Sequence, residues 1–562
     1  MKKIYTFIAS GLIATAINAQ SAFFTPTSYI GAFPVTDNTT ATDWTSGWSN
    51  FNPENEIYET VTLTVNTNIT TNTNWTSNNV YQLIGNIAVT NGAVLTIQPG
   101  TVIKGDKTSK SCLIITKGSK IIANGTAANP IVFTSNEAIG DRDRGDWGGL
   151  IILGNGVINT PGTSTACLGC GVNPNVNQIE GFASYDAAQL YGGTNNNDSS
   201  GVLSYVRVEF AGVALSSVSN SEINGITLGG VGSKTKIDYV QVSFSGDDAF
   251  EWFGGAVNAK HIIAYRTLDD DFDTDFGYSG NVQFGLIVRD PDFSDVSKSE
   301  AFESDNFNPG IGRTPLTMPI FSNITVVGPT RDGNTTPGLP NLFLAGVQIR
   351  RNSSLSLFNS IITGWPKGLQ IEGSATQDNF TNDSAAFGNN WIVGASNSIV
   401  AGASTSPLSF YQTFFGTDNN DSTKTNANVN WVNPFPTNLT LAPDFRLNPT
   451  SAAKTVASFA DPKFAGKVTG IKNAKTQLNS VVLYPNPAND FISLSINTPE
   501  ASDVKINIYD ITGKLISSPV NENSNQIHST YKVDIKSLPS GLYFATVETN
   551  NTTKTLKFVV AK

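Results

Sequence analysis

Charge, sulfur and histidine are all scarce in this 562-residue chain. Charged side chains make up 14% of it, against roughly 25% in an average soluble domain. A chain of this length must then solvate its surface with uncharged polar groups, and Asn, Thr and Ser crowd the sequence. The 35 basic and 45 acidic residues leave a net charge of −10. That balance, with an isoelectric point near 4.9, tells against binding a phosphate backbone or an anionic membrane surface. Two histidines, His261 and His528, exclude a multi-histidine metal cage. Neither a dinucleotide-binding GxGxxG nor a Walker A string occurs. No uninterrupted apolar run reaches the ~20 residues that a membrane-spanning helix needs, so no transmembrane segment is expected. What the chain does have is 39% apolar residues, ample for a long core, which excludes global disorder. The composition is that of an extracellular β protein.

Both ends carry addresses. Residues 1–19 read as a signal peptide: Lys2 and Lys3 precede an apolar stretch from Ile4 to Ile17, and Ala19 is the small residue before a cut at Gln20. At the other end, residues 465–480 read as a linker and 481–562 as a separate β domain. In its segments VVLYPNPANDFISLSI, VKINIYDITGKLI, YKVDIKSLPSGLYFATVET and TLKFVVAK, apolar and polar residues alternate between turn signals. Such alternation predicts an antiparallel sandwich. The domain resembles the type A C-terminal sorting domain of the type IX secretion system of Bacteroidetes. The resemblance rests on Tyr484, Pro485, Asn486 and Pro487, on Ile508, Tyr509, Asp510, Gly513 and Lys514, and on Leu538, Gly541, Leu542, Tyr543 and the terminal Lys557 to Val560. It implies Sec export, handling by the type IX machinery, delivery to the outer surface, and removal of the domain with anchoring or release. A housekeeping immunoglobulin-like module is the alternative.

Between the ends, short apolar strands and turn residues recur. Gly346, Val347, Gln348 and Ile349 return as Gly368, Leu369, Gln370 and Ile371, and Asp247, Asp248, Ala249, Phe250 and Glu251 return as Asp269, Asp270, Asp271, Phe272 and Asp273. Both pairs are spaced by 22 residues (368 − 346; 269 − 247). Such a period, filled by three short strands, predicts one rung of a parallel β-helix. The Leu/Asn pattern of leucine-rich repeats and the blade signatures of propellers are missing. The strings LTIQPGTVIKG, NGTAANPIVFTS, GDWGGLIILG, GDDAFEWFGG, EAFESDN and GVQIRR are similar to those of secreted bacterial right-handed β-helix proteins, a group united by fold more than by function. The expected class is all-β: a right-handed parallel β-helix solenoid over 80–464, with a loop-rich cover from 385, then a small antiparallel β-sandwich. Residues 20–79 form an N-terminal segment whose part up to Glu59 is expected to cap the first rung.

Candidate chemistry gathers where GDDAFEWFGG is followed one rung later by LDDDFDTDFGYSG and then by SEAFESDN. A 22-residue rung stacks Asp247 and Asp248 on Asp269 and Asp270, and Glu251 on Asp273, about 4.8 Å apart. Asp271 and Asp275 lie close by, and Glu303 and Asp305 add a layer. Stacked like charges repel, so something must neutralise them. Calcium held by Asp247, Asp248, Glu251, Asp269, Asp270, Asp271, Asp273 and Asp275 is one answer. Lys260, Arg266 and Arg289, raised carboxyl pKa values, or plain solvation of turn residues are others.

A catalytic reading of the same rungs would use Asp247, Asp248 and Asp270 as acid and base, with Lys260 or Arg266 as the base of a lyase. The histidine and Arg-Lys motifs of β-helix hydrolases are absent. Trp252, Phe253, Phe276 and Tyr278, beside turn glycines, offer a sugar-stacking platform or else core packing. Cys167 and Cys170 suit a small loop disulfide better than a zinc site, because a second cysteine pair is missing, and Cys112 reads as a buried thiol. Arg144, Gly145 and Asp146 spell an adhesion tripeptide within a turn, and the strings at Asp383 and Asp421 resemble Bacteroidetes O-glycosylation sites. The leading expectation is a secreted, non-enzymatic cell-surface protein that binds glycans or mediates adhesion, with structural calcium. The competing one is a polysaccharide lyase or hydrolase.

Overall fold

The structure, a computed structural model, describes residues 23–36, 43–159, 175–182, 186–215, 222–307, 312–330, 342–402, 415–436, 442–464, 480–497, 502–511, 514–524, 528–549 and 553–562. The expected signal peptide, Cys167 and Cys170, Gly513 and most of the expected linker lie outside the described residues. The chain divides into two compact units, 1–466 and 467–562.

The first unit is a parallel β-helix. One sheet has ten parallel strands, running in chain order from Asn86–Val89 to Asn397–Ala401. The central ones are Ile226–Gly229, Phe250–Phe253, Phe272–Asp275, Phe302–Ser304 and Ala345–Ile349. The other sheet has sixteen strands, and its long members Lys236–Ser243, Asn258–Tyr265, Asn281–Val288 and Ile320–Val327 bend midway. Each bend is a left-handed residue: Tyr239 (φ 59°), His261 (51°), Phe284 (64°) and Asn323 (57°). Each long strand thus supplies two sides of a rung and the ten-stranded sheet the third. The expected 22-residue step is seen where Asp270 follows Asp248. The next rung takes 30 residues, from Thr274 to Ser304.

Alternation along each strand decides which side chains are interior. In the ten-stranded sheet Phe250, Phe272 and Phe302 are register partners. All three are fully buried, with ring centroids 5.7 and 5.4 Å apart along the ladder. Burying each such ring stabilises the solenoid by about 1.5–3 kcal/mol.

The N-terminal segment does not sit over the first rung as expected. Residues 23–36 and 43–58 run along the outside of the sixteen-stranded sheet. The Thr25 and Asn50 amides donate to the side chains of Gln283 and Gln241, the Ala32 amide donates to Thr325, and the Tyr58 hydroxyl donates to Glu209. The reason is a column of rings that the left-handed bends turn outward. Tyr205, Tyr239, His261 and Phe284 stack at 4.4, 4.3 and 5.1 Å. Trp44 lies 5.3 Å from His261, and Trp48 lies 6.0 Å from both tyrosines. The C-terminal cover joins this layer, with Val35 bridged to Leu447 and the Ile30 amide donating to the Ala453 carbonyl.

The second unit is an antiparallel sandwich. One sheet has Phe491–Asn497 between Ser480–Tyr484 and His528–Asp534, and the other centres on Ser502–Asp510 and Gly541–Thr549. Ile492, Leu494, Ile506, Ile508, Ala545 and Val547 fill the space between them. Of the residues singled out in sequence, Asn486 accepts a hydrogen bond from the Val559 amide (2.9 Å). The Lys514 amide donates to Asp510 (3.1 Å), and the Tyr543 hydroxyl donates to the Pro539 carbonyl (3.1 Å). Gly541 pairs with Val560, opening the strand that carries Tyr543.

Candidate functional site

The outward positions of the ten-stranded sheet form a file of register partners: Ala88, Ile114, Ile151, Thr227, Glu251, Asp273, Glu303, Gln348 and Gln370. Its chemistry changes along the axis from apolar through acidic to amide. The apolar start is covered by Ile158, Ile179, Tyr191 and Ile223 from the long insertion that follows Gly149–Leu153. Beside the acidic stretch runs a second file. Asp248 accepts the Asp270 amide (2.8 Å), and Asp270 in turn accepts the Glu300 amide (2.6 Å). A third position places Asp275 next to the Phe276 amide (2.6 Å) and within the field of Asp305.

Among the described residues, three groups of carboxylates have oxygens within 4.8 Å of one another: Asp247, Asp248 and Asp269; Asp248, Glu251 and Asp273; and Asp270, Glu300 and Glu303. Burial, then like charge, drives the carboxyl pKa values up: Asp269 to about 8 through burial, Asp295 and Glu300, and Asp273 to about 7 through burial and Asp305. Asp247, Asp248, Glu251, Asp270 and Asp275 are also raised well above their ordinary values, burial again being the largest cause. Compensating charge sits at one end. Arg350 bridges Glu303 and Asp305 (2.9 Å to the latter), and Arg351 also pairs with Asp305. Toward Glu251 and Asp248, no lysine or arginine pairs with a carboxylate of these groups among the described residues. Oxygen-only groups of this density suit a hard divalent cation such as calcium.

Several expectations are corrected. Asp271 leaves the face, because it occupies the inward position shared with Ala249 and Ala301, where the fully buried Arg289 pairs with it at 3.3 Å. From this inward position Arg289 also donates to the Asp269 carbonyl, and its charge offsets part of the pKa rise of Asp269 and Glu300. Lys260 and Arg266 belong to the other sheet. Lys260 donates to Thr25 and lies over Phe23 (4.9 Å), while Arg266 pairs with Asp290 (2.7 Å) and Glu54 (3.6 Å). Neither can act as a base at Asp247, Asp248 and Asp270. Trp252 and Tyr278 are fully buried, since Trp252 shares the inward side of its strand with Phe250. Phe253 is buried as well, stacked at 5.5 Å on a half-buried Phe276, so the four rings make no exposed platform. The tripeptide at Arg144 is structural too: Asp146 is fully buried, accepting from Ser135 and paired with Lys107 at 2.8 Å. Cys112 is the buried free thiol expected, its pKa pushed up to about 12 by burial.

Sequence reasoning missed Glu180, which the insertion brings to Glu251, and also Asn224 and Glu300, which flank Asp248 and Asp270 in the same file. It quoted Arg350 and Arg351 only as part of a family-like string. For Glu300 a signal existed, because it stands one position before Ala301 as Asp248 stands before Ala249.

Residues 67–435 match the pectate-lyase-like beta-helix domain family. The chain belongs to that family. A second match, residues 482–561, is to the secretion system C-terminal sorting domain. This β-helix protein is accordingly handled by the type IX secretion machinery and is secreted or displayed on the outer cell surface. Among the described residues no helix is long and apolar enough to cross a membrane. No curated protein matches the chain. Among solved structures, full-length tailspike protein 2 (TSP2, ORF211) from Escherichia coli O157:H7 bacteriophage CAB120 is similar at 11% identity, with a TM-score of 0.21. The match covers 85% of this chain and 64% of that one, and at that score it carries no argument.

Proposed function

We propose that this pectate-lyase-like β-helix is a calcium-dependent glycan-binding or adhesive protein of the cell exterior. The observation that carries the reading is the stack of carboxylates on consecutive rungs, with oxygens within 4.8 Å and cations paired at one end only. Calcium held among Asp247, Asp248, Glu251, Asp269, Asp270, Asp273 and Asp275 removes the repulsion and keeps coordination positions for carboxylate or hydroxyl oxygens of a sugar. The next rungs continue the file with Gln348 and Gln370, both donating to Glu372 (3.3 and 3.0 Å). Gln348 Oε1 is buried without a partner, a free acceptor of the kind that reads sugar hydroxyls.

Retention of the purified protein on immobilised polysaccharides, acidic and neutral, tests this reading. Binding in calcium that is lost in EDTA is expected. No retention on any polymer under either condition overturns it.

A second reading, hydrolysis or lyase cleavage at the same rungs, draws on one observation. Carboxyls raised to about 7 and 8 beside other carboxylates are potential proton donors at neutral pH. Incubation with pectate, alginate and other uronates separates the two readings. New reducing ends or ultraviolet-absorbing products, lost in Asp248→Asn, would make the protein an enzyme.

A further inference from the structure

The insertion after Gly149–Leu153 does more than cover apolar surface. Two of its apolar anchors, Ile179 and Ile223, pack with Ile114, Ile151 and Phe253, and each is followed at once by a polar residue at the edge of the acidic stretch. Those residues are Glu180 and Asn224. The Asn224 amide donates to Glu251, to Glu180 (3.4 Å) and to Thr227 (3.4 Å). Glu251 is within hydrogen-bond contact of the carboxyl groups of both Glu180 and Asp273. Three acids in a row, with Asp248 beside them, cannot all be charged and buried without a counter-charge.

An independent feature points to what supplies it. Asn224 is 1% exposed, yet its Oδ1 has no hydrogen-bond partner, and the same holds for the buried Oδ1 of Asp273. Native structures rarely leave buried acceptors unsatisfied. Here two of them lie at one carboxylate cluster, one being a neutral amide oxygen whose own nitrogen is already committed to Glu180 and Glu251. Four carboxylates and an amide oxygen, with no nitrogen or sulfur donor, match the donor set of calcium.

We propose that Glu180, Asn224, Glu251, Asp273 and Asp248 form a calcium site that fastens the insertion to the solenoid. The proposal rests on reading the acidic face as cation-binding, but its content is separate from any glycan. The ion ties Glu180, from outside the repeat, to residues of three successive rungs. Without it, Glu180 is held against Glu251 by the apolar anchors and the Asn224 amide, and repulsion opposes the contact once both carboxyls ionise.

The experiment uses the full chain, with calcium alone as probe. Calorimetric titration counts the ions taken up, and hydrogen exchange follows the amides of residues 176–182 with calcium and with EDTA. At calcium about ten times its dissociation constant, local opening of this segment should slow about tenfold. Glu180→Gln should abolish that local protection while uptake by the Asp247 and Asp269 group remains. Asn224→Asp adds a ligand charge, so it should bind calcium more tightly, whereas an amide serving only as a hydrogen-bond donor would simply be lost. Calcium uptake with unchanged exchange at 176–182, or with equal protection in Glu180→Gln, overturns the fastening role and leaves the acidic face as a cation site. Absence of any calcium uptake overturns both.

Discussion

The same rungs carry two outward columns with opposite fates. On the sixteen-stranded sheet Tyr205, Tyr239, His261 and Phe284 stack ring on ring, and the chain covers them with its own Trp44 and Trp48. On the ten-stranded sheet Glu251, Asp273 and Glu303 stack carboxylate on carboxylate, and only the last has an arginine. A solenoid multiplies whatever its repeat places at one position. Repeated rings gain contact and dispersion with every rung, while repeated charges gain repulsion. The first column is completed from within the chain, and the second is where the proposed calcium would act.

Breaking the ring side should have the larger effect and no dependence on calcium. Trp48 is 1% exposed and donates from Nε1 to the Trp44 carbonyl. Trp48→Ala should cost about 3–5 kcal/mol, read as a lower denaturation midpoint of equal size in calcium and in EDTA. On the acid side the effect should be conditional. Calcium at a hundred times its dissociation constant should add about 2.7 kcal/mol, so EDTA lowers the melting temperature. The pair Asp248→Asn and Asp270→Asn should remove that shift. A melting temperature indifferent to EDTA would erase the distinction between the columns.

How much of this was legible depends on what interrupts the repeat. Between Glu251 and Asp273 no insertion intervenes, so a 22-residue offset sufficed to pair them. Arg350 lies 45 residues beyond Asp305, past an enlarged rung, and spacing alone could not bring the two together. Glu180 belongs to an insertion without any period, so nothing in its sequence context points at Glu251, whereas Asn224 stands two residues before Ile226 as Asp248 stands before Phe250. The misreading of Trp252 was avoidable. Two residues along a strand return to the same side, so an interior Phe250 requires an interior Trp252. The outward ring column was hidden for a different reason: left-handed bends at tyrosine, histidine and phenylalanine are uncommon, and no propensity argument predicts them. Without the column, the tryptophans of the N-terminal segment had no visible docking surface.

The acid side should also respond to protons where the ring side does not. Asp269 is raised to about 8 by burial and its acidic neighbours, Asp273 to about 7 by burial and Asp305, and Glu180 to about 7 by burial. Each ordinary value, 3.8 for Asp and 4.5 for Glu, lies lower. Between about pH 4 and 8 the folded chain therefore binds more protons than the unfolded one, and stability falls as pH rises. The slope is about 1.4 kcal/mol per pH unit for each extra proton bound, with Arg350 offsetting part of it at Asp273. Calcium competes with those protons for the same oxygens, so it should flatten the decline and give its greatest stabilisation near pH 8. Melting temperatures at pH 5 and pH 8, in EDTA and in calcium, measure this directly. If the EDTA series rises with pH, these carboxylates are already paired within the folded chain, and the acidic column is no less self-contained than the aromatic one.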